Sequence, residues 1–437
     1  MTSNAVKFIK NYAEDHAITL PGRVPGYRKA DVLLLPSCST KKQVWRQYYA
    51  AAEVANKPRV GYSKFVDLWN TLLPYVLIMT PMTDLCFTCQ TNNNSILRSA
   101  NLPEAQKTES VRTQEKHLFH AQRERDSYRD ACKLSEQNLQ QLISAGNFSL
   151  FSRHPVCSTP RFIHYSYDYA QQIHYPSNPL QPGPIYFKTP RKCAVFGVCC
   201  EAIPRQVNFL IDESVLAGKG ANATISYVHF FLENYGLGET DAGLNADNCT
   251  GQNKNNYFMW YYSWRTIHKL HLNLSNDFLE AGHTKFAPDW CFGLGKQRIS
   301  KTFVSSLFEI AEAIESSSQT GVNVAKLCGL HDGTVHVPVY DWSAYLSPFF
   351  RKIPDIKKYH HFRFSSSYPG KVFLREHVDS PETEFKILFD TSVLPPASLP
   401  PVEIKPPGLS AERKNYLYKE IRPFCKHGTE DLVAPKP

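Results

Sequence analysis

This chain has no long hydrophobic run. Its longest apolar stretch, "LLPYVLIM" (residues 72–79), falls far short of the roughly 20 apolar residues a membrane-spanning helix needs. The first twenty residues also lack the apolar segment of a secretory signal, so none is expected. Internal repeats are absent. The 12 cysteines are scattered, with a single CxxC (Cys86, Cys89) and one adjacent pair (Cys199, Cys200). That spacing excludes a disulfide scaffold and fits a reducing compartment. Charge of one sign is not extreme either: a formal net charge of +9 permits nucleic-acid binding without demanding it.

What is present is ordinary globular composition. Hydrophobic residues make up 42% of the chain, which excludes a disordered protein. A length of 437 residues suggests about two to four domains. The expected protein is intracellular and free of membrane segments.

Residues 1–80 read as helical. "STKKQVWRQYYAAAEVA" (39–55) suits a helix capped by Ser39 or Thr40, and "YSKFVDLWNTLLPYVLIM" (62–79) places Phe65, Leu68, Trp69 and Leu72 at helical spacing. The pair is either a helix-turn-helix or a plain helical subdomain. Residues 81–150 hold the CxxC and a polar, proline-free stretch from Glu109 to about Gly146. Its composition predicts a long solvated helix that could pair with a second copy, although its heptads are irregular.

From Pro160 the texture changes. "RFIHYSYDYAQQIHYP", "GPIYFKTPRKCAVFGVCCEA" and "RQVNFLID" are strand candidates. "ANATISYVHFFLENYG" reads as a helix, "DAGLNADN" as a short strand, and "NNYFMWYYSWRTIHKLH" as a buried helix. "LSNDFLEAGH" follows as a strand, and "APDWCFGLGKQR" starts a helix with Pro288 in its first turn. Three consecutive strands suit an antiparallel meander, and the later alternation suits parallel crossovers. The expected fold class is α/β: one mixed sheet flanked by helices over residues 160–330. A basic, hairpin-bearing extension with a Pro-rich tail ("LPPASLPPVEIKPPG") occupies 331–437.

Three acids in this core need a reason. Asp168 lies within an aromatic strand, where aspartate is disfavoured; Asp247 ends a strand; Asp289 begins a helix. Each alone is explained by turn formation or capping. Gathered at one end of a sheet, their carboxylates would repel unless a cation sat among them. All-oxygen ligands favour Mg²⁺ or Mn²⁺, and two such ions about 3.5–4 Å apart would clamp an in-line phosphoryl displacement. Around Asp247, Gln252, Asn253, Asn255 and Asn256 could orient the carboxylate, and Lys254 could contact phosphate. The aromatic run that follows is core packing or, through Trp260 and Trp264, a base-stacking surface.

The CxxC suggests a structural zinc. Among the downstream candidates, His117 and Cys132 would lie roughly 22 Å apart on one helix and cannot share an ion. His117 and His120, spaced i, i+3, share a face. The expected zinc ligands are Cys86, Cys89, His117 and His120. Basic stretches at "RKIPDIKKYHHFR" (351–363), "TPRK" (189–192) and "GKQRISK" (295–301) suit sequence-independent phosphate contact.

The strings "YSYDYAQQIHYPSNPLQPGPIYFKTPRKC", "ADNCTGQNKNNYFMWYYSWR" and "GHTKFAPDWCFG", with "LCFTCQ" and a C-terminal "GLSAERKNYLYKEIRPFC", resemble an uncharacterised family of transposable-element proteins. The resemblance runs from about Leu20 to the C-terminus. It implies a ribonuclease-H-like core of the DDE transposase and integrase kind, preceded by a helical zinc-binding region. It also implies DNA cleavage or strand transfer by a magnesium- or manganese-bound Asp168, Asp247 and Asp289, in a nuclear protein that binds DNA and self-associates. Transposases more often place glutamate at the third position. The alternative it implies is a domesticated product that binds DNA or acts as a scaffold without cutting.

Overall fold

Thr40 caps its helix as the sequence suggests: the hydroxyl accepts the Gln43 amide at 3.2 Å, ending the extended approach and starting the turn. In this computed structural model, residues 2–17, 32–79, 85–98, 102–146, 153–397 and 401–437 are described. They form two compact units, Met1–Gln122 and Arg123–Pro437. Residues 18–31, within the turn-rich opening, and 398–400, within the Pro-rich tail, lie outside the described residues.

The first unit comprises α1 (Thr2–His16), β1 (Leu33–Leu35), α2 (Lys41–Val54), α3 (Tyr62–Leu72), β2 (Val76–Ile78), α4 (Phe87–Arg98) and the start of α5 (Glu104–Ser144). Apolar residues three and four apart make its core: Ala5, Ile9 and Ala13 on α1, Val44 and Tyr48 on α2, Phe65 and Trp69 on α3. Helical spacing stops at Leu72, because Pro74 cannot continue the turn. The apolar "VLI" beyond it is instead a strand, paired in parallel with "LLL" of β1 and tied to α3 by the Trp69 indole donating to the Val76 carbonyl at 2.7 Å.

The second unit holds the rest of α5, then β3 (Thr159–Tyr175), β4 (Arg191–Cys200), β5 (Arg205–Asp212), α6 (Ala221–Asn234), β6 (Glu239–Ala246), α7 (Asn256–Ile267), β7 (Asn273–Phe278), α8 (Ala287–Ile299), α9 (Leu307–Glu315) and β8 (Asn323–Leu327). After these come α10 (Trp342–Leu346), β9 (His361–Ser365), β10 (Lys371–Arg375), β11 (Thr383–Lys386), α11 (Ala411–Tyr416) and α12 (Glu430–Val433). One nine-stranded mixed sheet runs β11-β10-β9-β7-β6-β3-β4-β5-β8. The expected meander is present: β3, β4 and β5 are antiparallel neighbours, while β6 and β7 add in parallel. Strand β4 starts only at Arg191, after a 3₁₀ turn at Gly183–Phe187, because prolines at 182, 184 and 190 lack ladder donors. The hairpin expected around Tyr368–Gly370 forms between β9 and β10, yet it joins the main sheet through β7.

Alternation along β3 divides the faces. Tyr165 and Tyr167 turn to α6 and α7, with ring contacts to Phe231 and Phe258. His164 and Ser166 turn the other way: Tyr128 of α5 packs edgewise on His164 and shares Glu201 with Ser166. Among the described residues, no helix is long and apolar enough to cross a membrane.

Candidate functional site

Strand register decides which acids come to the same end of the sheet. β3 and β6 run parallel with Ser166 opposite Asn245. Two residues further on stand Asp168 and Asp247, the latter just past the end of β6. Asp168 is also paired across to Gly197 of β4. A Cβ at Gly197 would come 2.7 Å from ring atoms of Phe292 and 2.6 Å from Gln206 Nε2. The missing side chain therefore lets α8 lie close against the strand opposite Asp168. Asp289, in the first turn of α8, accepts the Phe286 amide at 3.0 Å, which stabilises the helix start.

The three carboxyls share one electrostatic environment. Burial and the negative charge of Asp247 raise Asp168 to about 7; the Tyr169 amide, donating at 2.7 Å, opposes the rise, and Asp289 adds to it. Asp289 is the most exposed of the three. Partial burial still raises it, and so does Asp247, against the Phe286 amide, Lys285 and Arg125. Arg125 is itself held by the carbonyls of His283 and Lys285, so that loop and α5 present positive charge to α8.

The amide-rich loop around Asp247 has a mechanical role. Asp247 Oδ1 accepts the Cys249 amide at 3.1 Å and the Asn253 side-chain amide. Asn255 caps α7 by accepting the Phe258 amide at 3.2 Å. Lys254 does not face solvent, contrary to the expected phosphate contact. It is 3% exposed, its Nζ donates to Asn248 Oδ1 at 3.1 Å, and burial lowers it to about 8 while Glu280 and Glu124 pull the other way. Trp260 and Trp264 are also buried, their indoles donating to the carbonyls of Arg351 and Pro396, so the aromatic run is core.

In the first unit, Cys86, Cys89 and His117 bring ligand atoms within 4.8 Å of one another. Cys86 Sγ lies 3.3 Å from His117 Nε2, and the Gln114 side chain donates to Cys89 Sγ at 3.5 Å. His120 does not join this group. The start of α4 lies along the Gln114–His117 part of α5, one turn before His120, whose ring instead packs edgewise on Phe119.

The basic stretches divide. Arg191 of "TPRK" is fully buried, with both carboxylate oxygens of Asp212 bound at 2.6 and 2.9 Å, so it is unavailable to phosphate. Lys296, Arg298 and Lys301 are exposed at the far end of α8, as are Lys352, Lys357 and Lys358. From the same "KKYHHFR" run, however, two histidines turn inward. His361 bridges Asp277 and Glu124 at 2.7 and 2.6 Å, and His360, with Glu280 and His377, places ligand atoms within 4.8 Å. Reading that run only as positive charge missed them; the paired histidines beside a strand were the available signal.

A family model described as a domain of unknown function (DUF7869) matches residues 192–380. The matched span includes Asp247 and Asp289 and begins after Asp168. No curated protein matches the chain, and no solved structure matches it.

Proposed function

We propose that this chain is a transposase-like nuclease with a ribonuclease-H-like core, cutting or joining DNA at Asp168, Asp247 and Asp289. The observation that carries the reading is the β3–β6 register, which sets Asp168 beside Asp247, together with the rise of Asp168 to about 7 through burial first and then the charges of Asp247 and Asp289. The sheet order supports it: three antiparallel strands, then two parallel ones, with acids on the first strand, after the fourth, and on the helix after the fifth. The donor set is all oxygen and mutually repelling, which fits Mg²⁺ or Mn²⁺. When bound, a pair of such ions supplies the Lewis acidity that activates water or a 3′-hydroxyl and stabilises the departing oxygen.

The chain's own residues prepare that chemistry. Asn253 and the Cys249 amide fix the direction of Asp247, and the Phe286 amide fixes Asp289. Gly197 lets α8 approach, and the exposed Lys296 and Arg298 on that helix, with Lys301 just past its end, meet the DNA backbone without reading sequence. Cys86, Cys89 and His117 hold a structural zinc in the first unit. In this reading the protein works on DNA in the nucleus as a homo-oligomer.

The test is cleavage of nicked and duplex DNA with Mg²⁺ or Mn²⁺, comparing the wild-type chain with Asp247→Ala. Loss of cutting by about 10³-fold or more is expected, since the residue would hold metal. Equal cutting by both proteins rejects the site. DNA binding with no cutting by either would leave the domesticated, non-catalytic binder as the better description.

A further inference from the structure

A second ligand cluster lies at the edge where β7, β9 and β10 meet. β7 and β9 are antiparallel with Asp277 opposite His361, and His361 is opposite Arg375 of β10. Glu280, three residues past Asp277, His360, just before β9, and His377, two residues past β10, are thereby gathered. Their ligand atoms lie within 4.8 Å of one another, with His360 Nε2 at 3.9 Å from Glu280 Oε2. The two imidazoles stack with centroids 5.5 Å apart and an interplanar angle of 13°.

The surroundings orient these groups. His360 Nδ1 lies 2.7 Å from the Glu376 carbonyl, so that nitrogen carries the proton and Nε2 presents its lone pair toward Glu280. A backbone carbonyl behind an imidazole is the usual support of a metal-bound histidine. Glu124 stands beside the second imidazole, its Oε1 3.7 Å from His377 Nδ1, and is fixed by the Val378 amide at 2.9 Å and by His361.

We propose that Glu280, His360 and His377 form a zinc site with three protein ligands and a fourth position open to water or an incoming oxygen. Two imidazoles and one carboxylate suit zinc, whereas magnesium and calcium prefer oxygen alone. Tetrahedral zinc with bonds of about 2.0–2.1 Å holds its ligand atoms roughly 3.3–3.4 Å apart, so the cluster needs only a small closure. The site is separate from the three aspartates, yet it adjoins their loop: Asn248, next to Asp247, donates to the carbonyl of Leu279, next to Glu280. An ion here would anchor that loop to β9 and β10.

The full chain, loaded with Co²⁺ in excess Mg²⁺ so that oxygen-only sites are filled, provides the test. Visible d–d absorbance from a non-thiolate site is expected, and it should be lost in Glu280→Gln and His360→Ala while any cysteine-to-cobalt charge-transfer band persists. Unchanged d–d absorbance in both variants overturns the proposal. Should either variant fail to fold, hydrogen exchange on the wild-type chain decides: added zinc should slow amides around 279–281 and 376–378, and no slowing overturns it. Neither readout involves DNA, so failure here and failure of the nuclease reading are distinguishable.

Discussion

Asp168 sits on a strand whose neighbours are tyrosines, and its carboxyl rises from 3.8 to about 7 chiefly through burial, with Asp247 and Asp289 adding repulsion. The linkage follows in sign. Between about pH 4 and pH 7 the folded chain binds this proton more tightly than the unfolded chain, so apo stability falls as pH rises through that window. Asp168→Asn removes the loss. Without divalent ions the variant should be more stable than wild type at pH 8, by on the order of 4 kcal/mol for a rise from 3.8 to about 7, and nearly equal to it at pH 4. Urea unfolding at the two pH values checks this, and parallel pH profiles for the two proteins would remove the strained carboxyl. The oddity of Asp168 was legible in sequence because aspartate does not belong in an aromatic strand. Lys254 was not, since a lysine among amides looks solvated until a loop folds over it. His120 was misread for another reason: helical spacing tells which residues share a face, not which turn the neighbouring helix crosses.

Strands and helices of the central region were readable because each carries a strong local signal. Examples are the Tyr-rich alternation of β3, the glycine after α6 and the Pro288 start of α8. Their contacts were less so. Nothing in the string around Gly197 says that Phe292 will pack on it, although this contact sets how close α8 comes to the acids. Gly197→Ala should push α8 outward, costing about 1–3 kcal/mol through overpacking. Under the proposed nuclease reading, cleavage should fall by at least roughly tenfold, because a misplacement of about 1 Å suffices for such losses. Activity measured well below the melting temperature separates the two effects. Full activity in a stably folded Gly197→Ala protein would show that the approach of α8 is immaterial. The same local limits hid β9–β11: their alternation gave a hairpin, but not that β7 had an edge left to receive it.

Across the second unit, distant stretches converge on one buried cation. Arg191 binds Asp212 through two nitrogens and also donates to the carbonyls of His331, Leu432 and Val433, which ties β4 and β5 to the end of the chain. Arg191→Met leaves Asp212 uncompensated and should cost about 3–5 kcal/mol. Chemical denaturation reads this, with Arg191→Met/Asp212→Asn recovering part of the loss, whereas a single variant as stable as wild type would mean the pair carries no weight. Such long-range ties are invisible in sequence, where the partners are more than 200 residues apart. The length of β3 matters at this scale too. Its 17 residues are locked on one side to a parallel neighbour and on the other to an antiparallel one. Gain or loss of a single residue upstream of Asp168 within that ribbon would turn the acid to the opposite surface, among the tyrosines. Point changes can erode the proposed chemistry by degrees, but a one-codon insertion or deletion there would switch it off in a single step.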